Sequence, residues 1–128
     1  VIDIPSGGRR IVSRGTFHGF GFSPDSDEVI FARARGRSRS RSDIFRVPAA
    51  GGHPGRLTYD GRSLRPLWGP DDEIAFVKRE GRRRNDLFLM RPDGGGVIRV
   101  TRRRSGRSRR EYRPVDWSAD GERLLTEF

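Results

Sequence analysis

The chain has 128 residues, with 27 Lys+Arg against 17 Asp+Glu, which gives a formal net charge of +10 at pH 7. This length allows one domain at most, no apolar run approaches the ~18–20 residues of a membrane-spanning helix, and the absence of cysteine excludes disulfides, thiolate metal sites and cysteine nucleophiles. The first residues, 1–4, are expected to form a strand without a targeting segment before it. We therefore expect a piece of something longer, a processed product, or a half-unit that needs a partner.

Arginine dominates the positive charge, because Lys78 is the only lysine. The planar guanidinium donates two parallel hydrogen bonds, which suits it to phosphate and carboxylate groups. Codon drift in a GC-rich genome produces the same enrichment. The placement of the arginines along the chain therefore decides between the two explanations.

In chain order, short strands punctuated by Gly, Pro and Asp predict four antiparallel units and close to no helix. A half-unit of two strands spans 1–13, complete four-stranded units span 16–58 and 65–101, and a second half-unit spans 112–128. Apolar side chains alternate at period two in the strands, and no stretch holds a helical stripe for three turns. The strands predicted in the second complete unit are Arg65–Trp68, Glu73–Lys78, Asp86–Met90 and Val97–Thr101.

The units share recurring landmarks. A tetrapeptide that ends in Asp recurs as Phe22–Asp25, Trp68–Asp71 and Trp117–Asp120, with spacings of 46 and 49 residues. The apolar alternation after Asp43 returns after Asp86, 43 residues later, and each copy is followed by a glycine turn and an Arg-Leu-Thr or Arg-Val-Thr end. Four-stranded units that repeat every ~40–45 residues are typical of β-propeller blades.

The motifs Trp-Ser-Ala-Asp-Gly, Asp-Ile-Phe, and Gly-Gly followed by Arg-Leu-Thr resemble TolB-type propeller repeats, a WD40-like repeat family, over nearly the whole chain. The resemblance implies an all-β fold of four-stranded antiparallel blades, about three blades' worth. Closed propellers have four or more blades. The chain is therefore expected to be a partial propeller, or one half of a six-bladed ring that two copies close as a homodimer.

Most arginines fall in the connections between strands B and C of a blade and between one blade and the next, with strands lettered A to D from inside outward. In an up-and-down blade these connections lie on one face of the disc, and the A–B and C–D turns, which carry acidic residues, lie on the other. This placement favours a surface for an anionic partner, although long loops also accept drifted residues readily. The predicted partner-binding residues are Arg35, Arg37, Arg39, Arg41, Arg82, Arg83, Arg84, Arg103, Arg104, Arg109 and Arg110.

No catalytic, cofactor-binding or metal site is predicted. The Gly-x-Ser-x-Gly nucleophile motif and the phosphate-cradling Gly-x-x-x-x-Gly-Lys motif are absent. His18 and His53 lack the spacing of a metal pair and stand beside Gly or Pro, so solvated turns are expected for them. The aspartates of the tetrapeptides are expected to form turns. The Arg-Ser alternation at 37–42 is expected to be a flexible loop.

Two functions remain open. The first is a non-enzymatic binding module whose arginine-rich loop face holds a protein or an anionic partner. For this function the resemblance to the TolB family implies the cell envelope and a lipoprotein partner. The second is the accessory propeller of a serine peptidase of the prolyl-oligopeptidase type, where it gates substrate entry. Nucleic acid is disfavoured as the partner, because no aromatic side chain except Tyr112 is interleaved with the arginines to stack on bases.

Overall fold

The structure is a computed structural model that describes residues 1–81, 84–101 and 111–127, without the side chain of Arg39. In these residues every regular element is a β-strand, and no helix is long and apolar enough to cross a membrane. The strands are β1 Phe17–Phe22, β2 Glu28–Arg35, β3 Ser38–Pro48, β4 Gly55–Arg56, β5 Ser63–Trp68, β6 Ile74–Gly81, β7 Arg84–Met90, β8 Ile98–Arg99, β9 Arg113–Trp117 and β10 Leu124–Glu127.

The strands form three antiparallel sheets. The orders β1-β2-β3-β4 and β5-β6-β7-β8 make two four-stranded blades, blade 1 and blade 2, and β9 pairs with β10 in a half-blade. The predicted fold class, all-β with four-stranded antiparallel blades, is confirmed. The D strand of blade 2 is shorter than predicted, two residues against five. Two residues beyond its end, Thr101 Oγ1 accepts a hydrogen bond from the Leu87 N–H at 3.1 Å.

The core lies between the faces of neighbouring blades. Ile30 and Ile44 of blade 1 are fully buried and pack in one cluster with Trp68 and Phe76 of blade 2. Leu124 of the half-blade packs against the same cluster. Because side chains in a strand point alternately to the two faces of the sheet, each middle strand can contribute side chains to the packing on both faces of its blade. The blades therefore stack face to face around a continuous apolar core.

A buried aspartate joins strands C and D of each blade. In blade 1 Asp43 accepts hydrogen bonds from Arg56 Nη2 at 2.7 Å and from the Gly61 N–H at 2.9 Å. Thr58 Oγ1 accepts from the Ile44 N–H at 2.9 Å and lies 3.5 Å from Asp43. The aspartate, arginine and threonine contacts recur in blade 2 among Asp86, Leu87, Arg99 and Thr101. The recurring Asp-Ile-Phe and Arg-Leu-Thr motifs are thus two halves of one polar network.

The Ser-x-Asp turns between strands A and B are closed by their own side chains. Ser23 Oγ donates to Asp25 and accepts from the Glu28 N–H at 2.9 Å. The Ser23 hydroxyl, together with the Asp27 N–H, lowers the pKa of Asp25 below its ordinary value. The half-blade repeats the arrangement with Ser118, Asp120 and Arg123. These aspartates serve the turns.

The prediction of a flexible loop at 37–42 is wrong. Ser38 begins β3, and Ser42 pairs with Ala34 of β2. Ser42 is buried, and its Oγ donates to the Ser63 carbonyl of blade 2 at 2.7 Å. Ser42, the last serine of the Arg-Ser alternation, therefore packs inside the protein and contacts the next blade. The β2–β3 hairpin continues where the composition predicted a solvated loop. His18 likewise lies in β1, half-buried, not in a turn.

Residues 1–13 form no strand, although the sequence predicts the two strands of a half-blade there. They contain one isolated antiparallel bridge between Ile2 and Arg9, supported by a hydrogen bond from the Arg10 N–H to the Val1 carbonyl at 2.9 Å. A two-stranded hairpin is marginally stable alone, and no described strand pairs with its edge. Val12 packs instead on the outer face of blade 1 beside Phe31.

Two apolar flanks of the stack are open to solvent in the described residues. On blade 1 an apolar groove of about 430 Å³ is lined by Phe20 and Phe22, and Phe20 is 75% exposed. On the half-blade Leu125 is 63% exposed. Closure of a six-bladed ring by two copies stays a prediction, which a measured solution mass of twice 14.6 kDa would support and a monomer would contradict.

Candidate functional site

Arginines from four strands meet in a cleft between blade 2 and the half-blade. Its volume is about 110 Å³. The end of β6 and the start of β7 form one wall, the start of β5 forms the inner wall, and the start of β9 forms the other. We name it the Arg65 cleft after the arginine on its inner wall; its polar lining is Arg65, Arg79, Arg84, Asn85, Glu111 and Arg113.

The backbone at Arg65 is strained in a way that sets the direction of its side chain. Arg65 has φ +53°, in the left-handed region that non-glycine residues seldom occupy, and it precedes Pro66. The register of β5 against β6 slips between Leu64 and Leu67, so a β-bulge stands at this point. Such a backbone costs about 1–3 kcal/mol, and strain of this kind is concentrated at functional sites. Bulges beside sites commonly redirect one side chain.

Blade 1 makes room for this bulge. Gly19 of β1 lies against it, and a Cβ atom built on Gly19 would come to 2.7 Å from the Arg65 Cα. Gly19 itself has φ +109°, a conformation that L side chains rarely adopt. A side chain at position 19 would therefore displace both backbones. The orientation of Arg65 depends on this close approach between the two inner strands.

The cleft concentrates positive charge. Burial lowers the pKa of Arg65 below its ordinary value, and the nearby charge of Arg113 lowers it further, against the opposing effect of Glu111 and Glu127. Arg113 Nη1 lies 3.8 Å from Glu127, but both side chains are about half exposed or more, so the pair is weak. No hydrogen bond or ion pair joins the side chain of Arg65 or Arg84 to another described residue. Two guanidinium groups therefore keep their donors for a ligand.

Asn85 fixes the wall that carries Arg113. Its side chain is buried and bonds the Tyr112 backbone twice, with Nδ2 donating to the carbonyl at 3.1 Å and Oδ1 accepting from the N–H at 2.6 Å. This pairing ties the start of β9 to β7, although no ladder joins these two strands. The neighbours of Tyr112, Glu111 and Arg113, are positioned by it.

Polar contacts also stabilise the junction of blades 1 and 2 at the end of the blades that carries the Arg65 cleft. Asp60 accepts from the Arg62 N–H and from Ser63 Oγ, each at 2.9 Å, and pairs with Lys78 Nζ at 3.0 Å. Burial alone would raise the pKa of Asp60, but the hydrogen bonds from Arg62, Lys78 and Ser63 and the charge of Lys78 outweigh it and hold that pKa below its ordinary value. This carboxylate is engaged within the fold.

The structure brings one of the predicted partner-binding residues into the cleft, Arg84. Arg35 ends β2 and Arg37 lies in the β2–β3 turn, and Arg35 Nε lies 3.7 Å from Asp43. Arg41 continues the same hairpin, exposed, with its aliphatic part beside Gly61. Arg39 lies in β3, and the structure does not describe its side chain. The predicted residues outside the described ranges are Arg82, Arg83, Arg103, Arg104, Arg109 and Arg110.

Arg79 connects the cleft to that hairpin. Its Nη1 donates to the Ser40 carbonyl of blade 1, and its side chain lines the Arg65 cleft. The site prediction missed Arg65, Arg79 and Arg113. A signal for two of them was present, because Arg65 and Arg113 each precede a proline at the start of an inner strand. An Arg-Pro pair at that position favours an extended or irregular backbone.

No cluster of metal-binding side chains occurs in the parts of the chain that the structure describes. Within the same parts, His18 Nε2 is a buried nitrogen without a hydrogen-bond partner. It belongs to no group of three or more metal-binding side chains among the described residues.

The fold has known counterparts. No protein-family model and no curated protein matches the chain. Among solved structures it is similar to a protein assigned as TolB from Agrobacterium tumefaciens, with 26% identity and a TM-score of 0.65 over 77% of this chain and 38% of that one. It is also similar to TolB from Acinetobacter baumannii, with 22% identity and a TM-score of 0.62 over 78% of this chain and 25% of that one. The chain thus spans well under half the length of either. It is built of TolB-like β-propeller repeats, as its recurring motifs predicted.

Proposed function

We propose that this chain is a non-enzymatic binding module that binds an anionic partner with the arginine-rich end of its blades, which is the end that carries the Arg65 cleft and the β2–β3 turn. The observation that carries the proposal is the Arg65 cleft, where four guanidinium groups face one carboxylate. Like charges gathered at one place raise the local potential, and a partner of opposite charge relieves that repulsion. The similarity to TolB propellers supports a protein surface as the partner and the cell envelope as the compartment.

The distribution of carboxylates supports the same end. Asp43, Asp60 and Asp86 lie near the arginine-rich end but are engaged by Arg56, Lys78 and Arg99. The other end carries the Ser-x-Asp turns, whose carboxylates are held by their own serines. The guanidinium groups of the Arg65 cleft that have no partner among the described residues therefore lie together at one end of the blades, whereas at the other end Arg91 pairs with Asp93.

Arginines of the β2–β3 hairpin provide a test outside the cleft. Fluorescence anisotropy with a labelled acidic peptide measures the affinity of the full chain over a salt series. Replacement of Arg37 and Arg41 by Ser is expected to weaken binding about tenfold, because each exposed charge contributes roughly 0.5–1 kcal/mol at low salt. Salt should weaken the parent chain more than the variant.

Arg91 and Arg123 form the matched control, since both are exposed and belong to turns at the other end of the blades. Replacing these two by Ser removes the same charge and should change the affinity less than twofold. Equal losses in both double variants would show that net charge alone attracts the peptide, and the proposed function would then be wrong.

A further inference from the structure

We propose that the Arg65 cleft is a binding site for a single phosphate group, carried by a small phosphomonoester or by a larger ligand that presents one. The inference rests on the proposed function, because it names the chemical group that the arginine-rich end recognises. No described residue fills the cleft, and its lining is almost wholly polar.

The size of the cleft selects a small group. Its volume is about 110 Å³, enough for more than one water molecule. One tetrahedral oxyanion fits this space. Sites for whole cofactors or drug-sized ligands measure about 300–1,000 Å³, so the cleft takes the anionic group of a ligand and leaves the remainder outside.

The number and direction of the donors select phosphate over carboxylate. A carboxylate is satisfied by one guanidinium in a two-pronged pair. Here Arg65, Arg79, Arg84 and Arg113 approach from β5, β6, β7 and β9, so their donors come from different directions. A phosphate dianion offers more acceptor oxygens and twice the charge, and arginine is the side chain that most often recognises it.

The two best donors are already in place. Arg65 and Arg84 have no hydrogen bond or ion pair with another described residue, and each guanidinium carries five N–H donors. Arg79 uses Nη1 on the Ser40 carbonyl, which leaves its remaining N–H groups. Among the described residues, the side chain of Arg113 pairs with Glu127, and a dianion can displace this exposed pair.

The backbone that bears Arg65 and Arg113 is fixed before a ligand arrives. The bulge at Arg65 is fixed by its contact with Gly19, and the strand that bears Arg113 is tied down through Asn85. A fixed backbone leaves only the side chains to be ordered on binding, which limits the entropic cost. The left-handed φ of Arg65 is then explained as part of the site.

Isothermal titration of the full chain with inorganic phosphate tests the inference, in a buffer of fixed ionic strength. We expect saturable binding of one phosphate per chain, and at least tenfold weaker binding of acetate. Arg65→Asn removes the guanidinium while Asn tolerates a left-handed backbone, and should lower the affinity at least tenfold. Arg65→Lys keeps the charge but loses the planar fork, and should lie between the parent and Arg65→Asn. Arg123→Asn, in the turn at the other end, should stay within twofold.

Two further arms separate the sources of the phosphate. Glycerol 3-phosphate serves as a soluble phosphomonoester, and phosphatidylcholine vesicles with phosphatidic acid present the same group on a lipid. Binding of either that depends on Arg65 supports the site and identifies its source. Equal phosphate affinity of the parent and Arg65→Asn, with unchanged thermal unfolding, would overturn the inference. If phosphate fails to bind while the acidic peptide still does, the inference is wrong and the proposed function stands.

Discussion

Replacement of Gly69 by Ala tests how the half-blade is seated on blade 2. A Cβ atom at Gly69 would lie 2.8, 2.9 and 3.1 Å from three atoms of the Trp117 indole, against ordinary contacts of about 3.4–4 Å. The indole must therefore recede by several tenths of an ångström. It is held in place by a hydrogen bond from Nε1 to the Leu67 carbonyl at 3.2 Å and by packing against the core.

The expected loss follows from these two contacts. Overpacking costs about 1–3 kcal/mol, and a weakened hydrogen bond adds about 1 kcal/mol. Gly69→Ala should therefore lower the free energy of unfolding by about 2–4 kcal/mol, measured by urea titration with circular dichroism. Gly21→Ala is the matched control, because a Cβ atom there meets nothing within 4 Å. It should be neutral or stabilising by up to ~1 kcal/mol.

A double variant completes this test. Trp117→Phe shortens the ring, so adding it to Gly69→Ala should recover part of the loss and give a coupling energy of about 1 kcal/mol. If Gly69→Ala unfolds at the same urea concentration as Gly21→Ala, the indole does not rest on Gly69 and the stacking described above is wrong.

Three further perturbations follow from the polar contacts. Asp43→Asn should lower the free energy of unfolding by about 2 kcal/mol, because the charge-assisted bond from Arg56 is lost, and a loss below ~0.5 kcal/mol by urea titration would contradict this role. Asp60 has a folded-state pKa below the unfolded value of about 3.9, so the stability it contributes is present above that pH and is lost as pH falls through the folded pKa. The difference in free energy of unfolding between the parent and Asp60→Asn should therefore narrow below about pH 4. A difference that does not depend on pH would refute this role of Asp60. Gly19→Ala should displace the bulge at Arg65 and lower phosphate affinity at least tenfold in the isothermal titration, whereas unchanged affinity would mean that the bulge does not orient the guanidinium.

Much of the fold follows from local patterns. Alternation at period two and turns rich in Gly, Pro and Asp predict short strands, and the repeat spacing predicts blades. The network of Asp43 with Arg56 and Thr58 explains why the motifs recur together, since each supplies one side of a contact between strands C and D. The sequence did not show the length of the D strand of blade 2. Strand β8 has two residues, Ile98–Arg99, where five were predicted.

The cleft was beyond prediction because its residues are distant in the chain. Arg65, Arg84 and Arg113 come together only after the half-blade packs on blade 2. The bulge at Arg65 depends on the absence of a side chain at Gly19, which lies one blade earlier. The sequence patterns placed the arginines in loops, but Arg35, Arg39, Arg41 and Arg84 lie in strands, and the patterns did not show that an inner strand, β5, contributes Arg65 to the cleft.

Arginine side-chain NMR measures the Arg65 cleft directly. Each guanidinium carries one Nε–Hε group, whose resonance shifts when an anion binds to it. On titration of the full chain with inorganic phosphate, saturable shifts are expected at Arg65, Arg84 and Arg113, with little change at Arg91 and Arg123. Shifts spread evenly over all exposed arginines, or absent from Arg65, would contradict a phosphate site in this cleft.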